Sequence, residues 1–552
     1  MPLIVDASEE ALAALLEKRM LRRAASRAAT DLQALVDQRV KLRTGTASIV
    51  LQGAEAAGVL TDLIGFVEGT LHRWAGTYAP VHWLWLLRRI QPAVFEGALP
   101  TTLAYDSALA AVLTGASPVR GRFRFQERQL TYPLSDSDGE RVWRFCAGVR
   151  FLSHLHQTYR WASKGAPIRF QRRGPIRPEP SEALRIAAER YDERVATETS
   201  FLSHSGTILL PEVGARESSI TGVLQIDPTL IPIPDLPGVP IQGAQVSARY
   251  IPHTVDLDSL LELLLQEEPS SPTPAATNTA ALVCLLAAFH DIVLQHGMLS
   301  GVLQRGYLLW GRERLFQTLA DAFTRLPPIF QKLANSSGIT SPDDWTRALQ
   351  TMDGTAWPLV PGPVLRIDGE AAVLDLYFAT MRLNALISET AQRGAAANAR
   401  ATQFEWRVQS AIDNSSWRPD TPLRDLRGRP LRRAGKAVTD IDALGVRGTS
   451  LLLVSCKSTL YSPQYDTDDH AVVRNRADLL SRAIAEWDQK VASFRSHPLG
   501  DNFDFSPFKE IWGVVCTPMP VFAPTEPRTS MAPAMLGAGC SFHELESWLA
   551  RI

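Results

Sequence analysis

A lysine set inside an apolar run is the first chemical signal in this chain. SLLLVSCKST (450–459) is almost continuously hydrophobic, as a strand buried on both faces is. Lys457 stands within it, and an ammonium is costly to bury without a partner. The natural partner is Asp442, in AVTDIDALGV (437–446), which reads as the preceding strand. Arg447, Gly448 and Thr449 turn between the two. A carboxylate and an amine forced together at a strand end suggest a functional site. Just upstream lies RDLRGRPLRRAGK, where Arg424, Arg427, Arg429, Arg432, Arg433 and Lys436 face one acid, Asp425. Six cations in thirteen residues suit a phosphate backbone, and equally a solvated loop.

These side chains need a helix and a hairpin to hold them. In ATQFEWRVQSAID (401–413), Phe404, Val408 and Ile412 recur every four residues and make a buried stripe. Glu405 sits at the edge of that stripe, and Asn414 and Ser415 end the helix. The small, polar stretch AQRGAAANARATQ (391–403) links into this segment, and the helix has begun by about Ala399.

The order of helix glutamate, strand aspartate and strand lysine resembles the PD-(D/E)XK, or restriction-endonuclease-like, nuclease superfamily. Glu405 matches the helix glutamate, Asp442 the aspartate and Lys457 the lysine, fifteen positions beyond Asp442. AIAEWDQKVASF, KEIWGVVCTPMPVF and SFHELESWLARI resemble the helix, strand and final helix that follow. The resemblance covers about 155 residues and is silent on the first 395. It implies an α/β domain with a central mixed sheet and metal-assisted phosphodiester hydrolysis, as in a deoxyribonuclease. Asp442, Glu405 and the backbone carbonyl of Cys456 would hold Mg²⁺ or Mn²⁺. Lys457 would orient the attacking water, and Ser455 would contact a water of the metal.

One position departs from the pattern. Ser455 stands where the superfamily has an acid, and a hydroxyl is a weaker ligand for a hard cation. Three readings stay open: Glu405 supplies the missing carboxylate, Asp440 does, or the site is inactive and the fold serves as a DNA-binding or protein-interaction subunit. Arg432, Arg433 and Lys436 are candidate nucleic-acid contacts. So are Arg474 and Arg476 in HAVVRNRADLL, where a solvated helix face is the other reading. The implied partner is DNA, with protein partners engaged through residues 1–395. Restriction and anti-phage effectors that resemble this fold supply the analogy for a defence role.

Composition sets limits on the rest. The 552 residues are 45% hydrophobic and 21% charged with a net charge of −1, so any basic surface must be local. The five cysteines form no CxxC pair, which argues against structural zinc and disulfides and fits a reducing cytoplasm. Cys456 with His470 as base reads as inert packing rather than a thiol nucleophile. His154 and His156 are too close along a helix to ligate one metal. Trp74, Trp83 and Trp85 read as core. The run Thr279–Leu299 carries His290, Asp291, Gln295 and His296 and reads as a buried helix, not a membrane span. No signal peptide and no GxxxxGK[ST] loop is present.

The expected organisation is a mainly helical region over 1–204, a Pro-rich β/loop segment leading into helices over 205–395, and the nuclease-like domain over 396–552. Helices are expected at about 7–42, 50–75, 80–115, 140–163, 180–200 and 279–394. A strand is expected over Arg120–Tyr132, followed by a turn at Ser135–Gly139. Short strands are expected between Ile208 and Ile251, where five prolines exclude a long helix.

Overall fold

A computed structural model describes residues 14, 19–75, 80–88, 124–126, 129–131, 135–205, 231–232, 245–246, 273–296, 298, 302, 305–353, 362–379, 382–383, 386, 394–458, 470–523 and 536–551. They form two compact units. One is drawn from 1–179, 219–257 and 268–387, the other from 180–218, 258–267 and 388–552. Most of the expected helix over 80–115 and most of the Pro-rich segment lie outside the described residues.

The first unit is α-rich. It holds helices α1 (Arg19–Thr44), α2 (Gly53–Ala75), α3 (Pro80–Leu87) and α4 (Asp136–Ser163) and a small antiparallel sheet of β1 (Ile49–Leu51), β2 (Ile168–Phe170) and β3 (Arg177–Pro178), with α4 against that sheet. Helix α4 packs against both α1 and α2, so Val142, Phe145, Val149, Leu152 and Leu155 are all buried. The expected turn at Ser135–Gly139 is instead the start of α4. The carboxylate of Asp138 accepts from the Ser135 backbone N–H at 2.8 Å and from its hydroxyl at 2.6 Å, so the acids cap a helix rather than turn a hairpin. Trp83 and Trp85 are core residues, and the Trp83 ring lies 4.4 Å from that of Phe145.

The stretch 279–394, expected as helical segments with a break near Trp357–Pro363, also contains a sheet. After α5 (Pro274–Ala287), strand β4 (Tyr307–Gly311) leads into α6 (Arg312–Thr324), α7 (Pro328–Ser336) and α8 (Pro342–Gln350). Strands β5 (Leu365–Asp368) and β6 (Ala371–Asp375) then form an antiparallel hairpin, with β6 between β4 and β5. The hairpin turns at Gly369, with φ 60°. Asp-Gly between apolar runs was the overlooked signal. No helix among the described residues is long and apolar enough to cross a membrane.

The second unit is built on a mixed four-stranded sheet. Its elements are α9 (Gly394–Asp413), β7 (Pro430–Arg433), β8 (Lys436–Asp440), β9 (Ala443–Arg447), β10 (Ser450–Cys456), α10 (His470–Ser496), β11 (Glu510–Thr517), β12 (Gly539–Ser541) and α11 (Phe542–Arg551). The strand order is β9-β10-β11-β12. The first pair is antiparallel and the other two are parallel. Strand β10 is covered on both faces, and Leu451 to Val454 have no exposed surface. Phe404, Val408 and Ile412 of α9 pack with Phe542, Leu545 and Trp548 of α11 on one face. Trp487 of α10 covers the other and donates its indole N–H to the Leu453 carbonyl at 3.2 Å. Helix α9 starts at Gly394, earlier than its composition suggests. The helix Glu182–Ser205 also belongs to this unit, where Arg194 forks onto Glu544.

Candidate active site

The site is assembled where three elements meet at the end of β10. AVTDIDALGV is not one strand, as expected, but two. Residues 436–440 pair with 430–433, and 443–447 pair with 450–454. Asp442 occupies the bend between them. The bend frees its carboxylate from the ladder and turns it onto β10. Its Oδ2 accepts the Cys456 backbone N–H at 2.6 Å and lies 3.4 Å from the Ser455 hydroxyl. A buried N–H and a half-buried carboxylate thereby satisfy each other.

Lys457 follows directly on β10. Its backbone N–H donates to the Cys516 carbonyl at 2.8 Å, which ties it to the neighbouring strand. Glu405 sits half-buried on α9, one turn before Gln409. Gln409, which the sequence reading missed, donates from Nε2 to the Asp442 backbone carbonyl at 2.6 Å. It holds the bend against the helix that carries Glu405. Its spacing of four from Glu405 was the available signal.

The three charges feel one another. Burial raises the Glu405 carboxyl above its ordinary range, the Asp442 charge raises it further, and the Lys457 ammonium opposes both. Burial likewise raises Asp442, against the Cys456 N–H, Lys457 and Ser455, while Asp440 adds a small upward push. Glu405, Asp442 and Lys457 therefore share one electrostatic neighbourhood. Burial first, then Asp442 and Glu405, push the Cys456 thiol well up. It stays protonated and is no nucleophile, consistent with its expected packing role.

The donor set suits a hard cation. Two carboxylates disfavoured as anions, one of them raised by the other, are what a divalent ion relieves. Among the described residues, no three His, Cys, Asp or Glu side chains cluster as ligands. Glu405 and Asp442 would thus need backbone carbonyl and water oxygens to complete the shell, which Mg²⁺ accepts. Ser455 is buried, and its hydroxyl points at the Asp442 carboxylate as a neutral neighbour. Asp440 ends β8 and is exposed, on the far side of the bend from the β9 ladder.

The basic stretch divides into structural and exposed members. Arg427 forks onto Asp413 at 2.9 and 2.7 Å and donates to the Leu444 carbonyl, joining α9 to β9. Arg433 donates to the Ser493 hydroxyl at 3.0 Å and the His497 carbonyl at 2.6 Å. Its guanidinium braces the β7/β8 hairpin against α10, an internal use the sequence reading did not foresee. Arg432, Lys436 and Arg474 are exposed, and Arg476 is half-buried. The hairpin turns at Ala434 and Gly435, both with positive φ, and Asp501 accepts both backbone N–H groups at 3.0 and 2.7 Å.

No family model matches the chain, and neither a curated protein nor a solved structure matches it. The site's own geometry carries the functional reading.

Proposed function

We propose that the second unit is a metal-dependent endonuclease of the restriction-endonuclease-like kind, hydrolysing phosphodiester bonds of nucleic acid, with DNA as the substrate. The single observation behind this reading is the Asp442 carboxylate turned onto the Cys456 N–H at the end of a central buried strand, next to Lys457 and within the electrostatic reach of Glu405. A carboxylate perturbed by burial together with a specific charge partner marks a candidate for chemistry.

Glu405, Asp442 and the Cys456 carbonyl would hold Mg²⁺ or Mn²⁺. When bound, the ion supplies positive charge to the phosphate oxygens and makes water more acidic. Lys457 orients the attacking water and stabilises charge developing on the phosphate. The bond from the Cys456 N–H fixes the Asp442 carboxylate, and Gln409 keeps the bend in register with α9. Arg432, Lys436 and Arg474 would contact the substrate backbone. Ser455 favours a second reading, in which the fold binds DNA without cutting it, because a third carboxylate is lacking at the usual position.

Incubation of plasmid with the full-length protein and Mg²⁺ or Mn²⁺ separates the two. Under the hydrolytic reading, Lys457→Ala slows cleavage at least about a hundredfold and leaves the melting temperature in place. Cleavage that survives in Lys457→Ala preparations would sink this reading. Calorimetric titration with Mn²⁺ tests the ligands directly, with binding expected to be lost in Asp442→Asn and Glu405→Gln.

A further inference from the structure

Helices α1 and α4 of the first unit part around a cleft of about 490 Å³. On the α1 side Ala25 and Ala29, one helical turn apart, line it. Their small size leaves the space open. Opposite them stand Trp143, Phe151 and Leu155 of α4, and Trp143 and Leu155 are otherwise buried. The walls are therefore mostly apolar and partly aromatic, and the volume falls in the range that holds a small organic ligand.

Arg150 is the one charged side chain among the described lining residues, and Ser26, Gln33 and His154, the last one turn from Arg150 on α4, are the other polar ones. The His154 Nε2 lies 2.9 Å from the Ile176 carbonyl oxygen. A carbonyl oxygen only accepts, so Nε2 carries the hydrogen and Nδ1 is the ring's second polar atom.

We propose that this cleft binds an amphiphilic small molecule with a flat, aromatic-sized apolar body and one anionic group. The body seats between the alanines of α1 and the Trp143 and Phe151 rings, where stacking adds to apolar burial. The anionic group lies toward Arg150, whose guanidinium matches a carboxylate, sulfonate or phosphate. This site is independent of the hydrolytic reading of the second unit.

The test uses the full-length protein and two fluorescent probes of similar body, anilinonaphthalene sulfonate and its uncharged counterpart N-phenyl-naphthylamine. The sulfonate should bind saturably at one site, roughly tenfold tighter than the neutral probe. Ala29→Phe and Ala25→Phe each fill the cleft, and each should weaken both probes more than about tenfold while the melting temperature holds. Arg150→Gln should weaken only the sulfonate, to the level of the neutral probe. Hydrogen exchange of the wild-type protein needs no variant, and the sulfonate should protect 25–33 and 143–155. Sulfonate binding unchanged by the filling substitutions, or no protection of those two segments, overturns the site. Equal loss of both probes in Arg150→Gln overturns the anionic end.

Discussion

At the scale of single residues, burial sets the protonation of the charged groups. Desolvation is the largest upward push on both Asp442 and Glu405, added to by Asp442 at Glu405 and opposed by the Cys456 N–H and Lys457 at Asp442, so their position in the fold matters as much as their identity. His156 shows the same effect away from the site. Burial pushes its imidazole down to about 3. A folded-state value below the free value means the native protein excludes the proton. Stability from this group is complete above about pH 6.5 and is lost as pH falls toward 3. Between pH 6.5 and pH 5 the loss is about 2 kcal/mol, at about 1.4 kcal/mol per unit. Glu68, raised to about 7 by burial, works the other way, losing stability as pH rises from its free value. Glu68 gains stability over the same range, so the histidine is isolated by difference: from pH 7 to pH 5 the melting temperature of the wild type should fall relative to that of His156→Leu. Parallel changes in the two proteins would mean that the imidazole titrates normally.

At the scale of elements, close approach of α9 to β9 positions the site. A Cβ added to Gly445 would lie 2.9 Å from the Ile412 Cγ2 and 3.0 Å from the Trp417 carbonyl oxygen. Neither wall has free space, because Ile412 and Trp417 are buried. Gly445→Ala should cost about 1–3 kcal/mol through overpacking, seen as a lower melting temperature. Under the hydrolytic reading it also displaces Glu405 relative to Asp442, so cleavage should fall further than the lost fraction of folded protein explains. The helical stripe of α9 and the apolar run of β10 were legible from sequence, because periodicity reports burial directly. The bend at Asp442 was not. Its two halves pair with different partners, and β propensity is blind to which partner a strand meets. The β4-β5-β6 sheet was missed for a related reason: short apolar runs such as YLLWG fit a buried helix or a buried strand equally.

At the scale of the whole molecule, the second unit is not one continuous piece of chain. The helix Glu182–Ser205 reaches it through the Arg194–Glu544 fork and the Tyr191 ring, 5.8 Å from that of Phe522. Glu544 also accepts the Ser541 backbone N–H at 2.7 Å and caps α11. Burial pushes its carboxyl up, but Arg194 and Ser541 together bring it below its usual range. Arg194→Ala leaves a half-buried carboxylate with one partner fewer and should cost about 1 kcal/mol. Correspondingly, a fragment of 388–552 should melt lower than the same fragment supplied with a 180–205 peptide, and equal melting temperatures would exclude a stabilising role for that helix. The net charge of −1 leaves substrate attraction to local cations. If Arg432, Lys436 and Arg474 make the phosphate contacts, duplex binding by Lys457→Ala protein should weaken with salt on a log–log slope of about −3. Anisotropy titrations across salt concentrations read that slope, and a value near zero would remove the proposed contacts.

The sequence by itself determined which segments must be buried and which charge stood out of place. Spacing and hydrophobicity are local properties, and so the helix of Glu405 and the strand before Lys457 could be read from them. Tertiary structure decided what those charges touch. It turned Asp442 onto the Cys456 N–H, enlisted Gln409, gave Arg427 and Arg433 to internal bonds and brought a helix from 350 residues upstream onto Glu544 of α11. Such pairings depend on which distant chain segments meet and on the angle at a bend, and no local pattern of residue types encodes either.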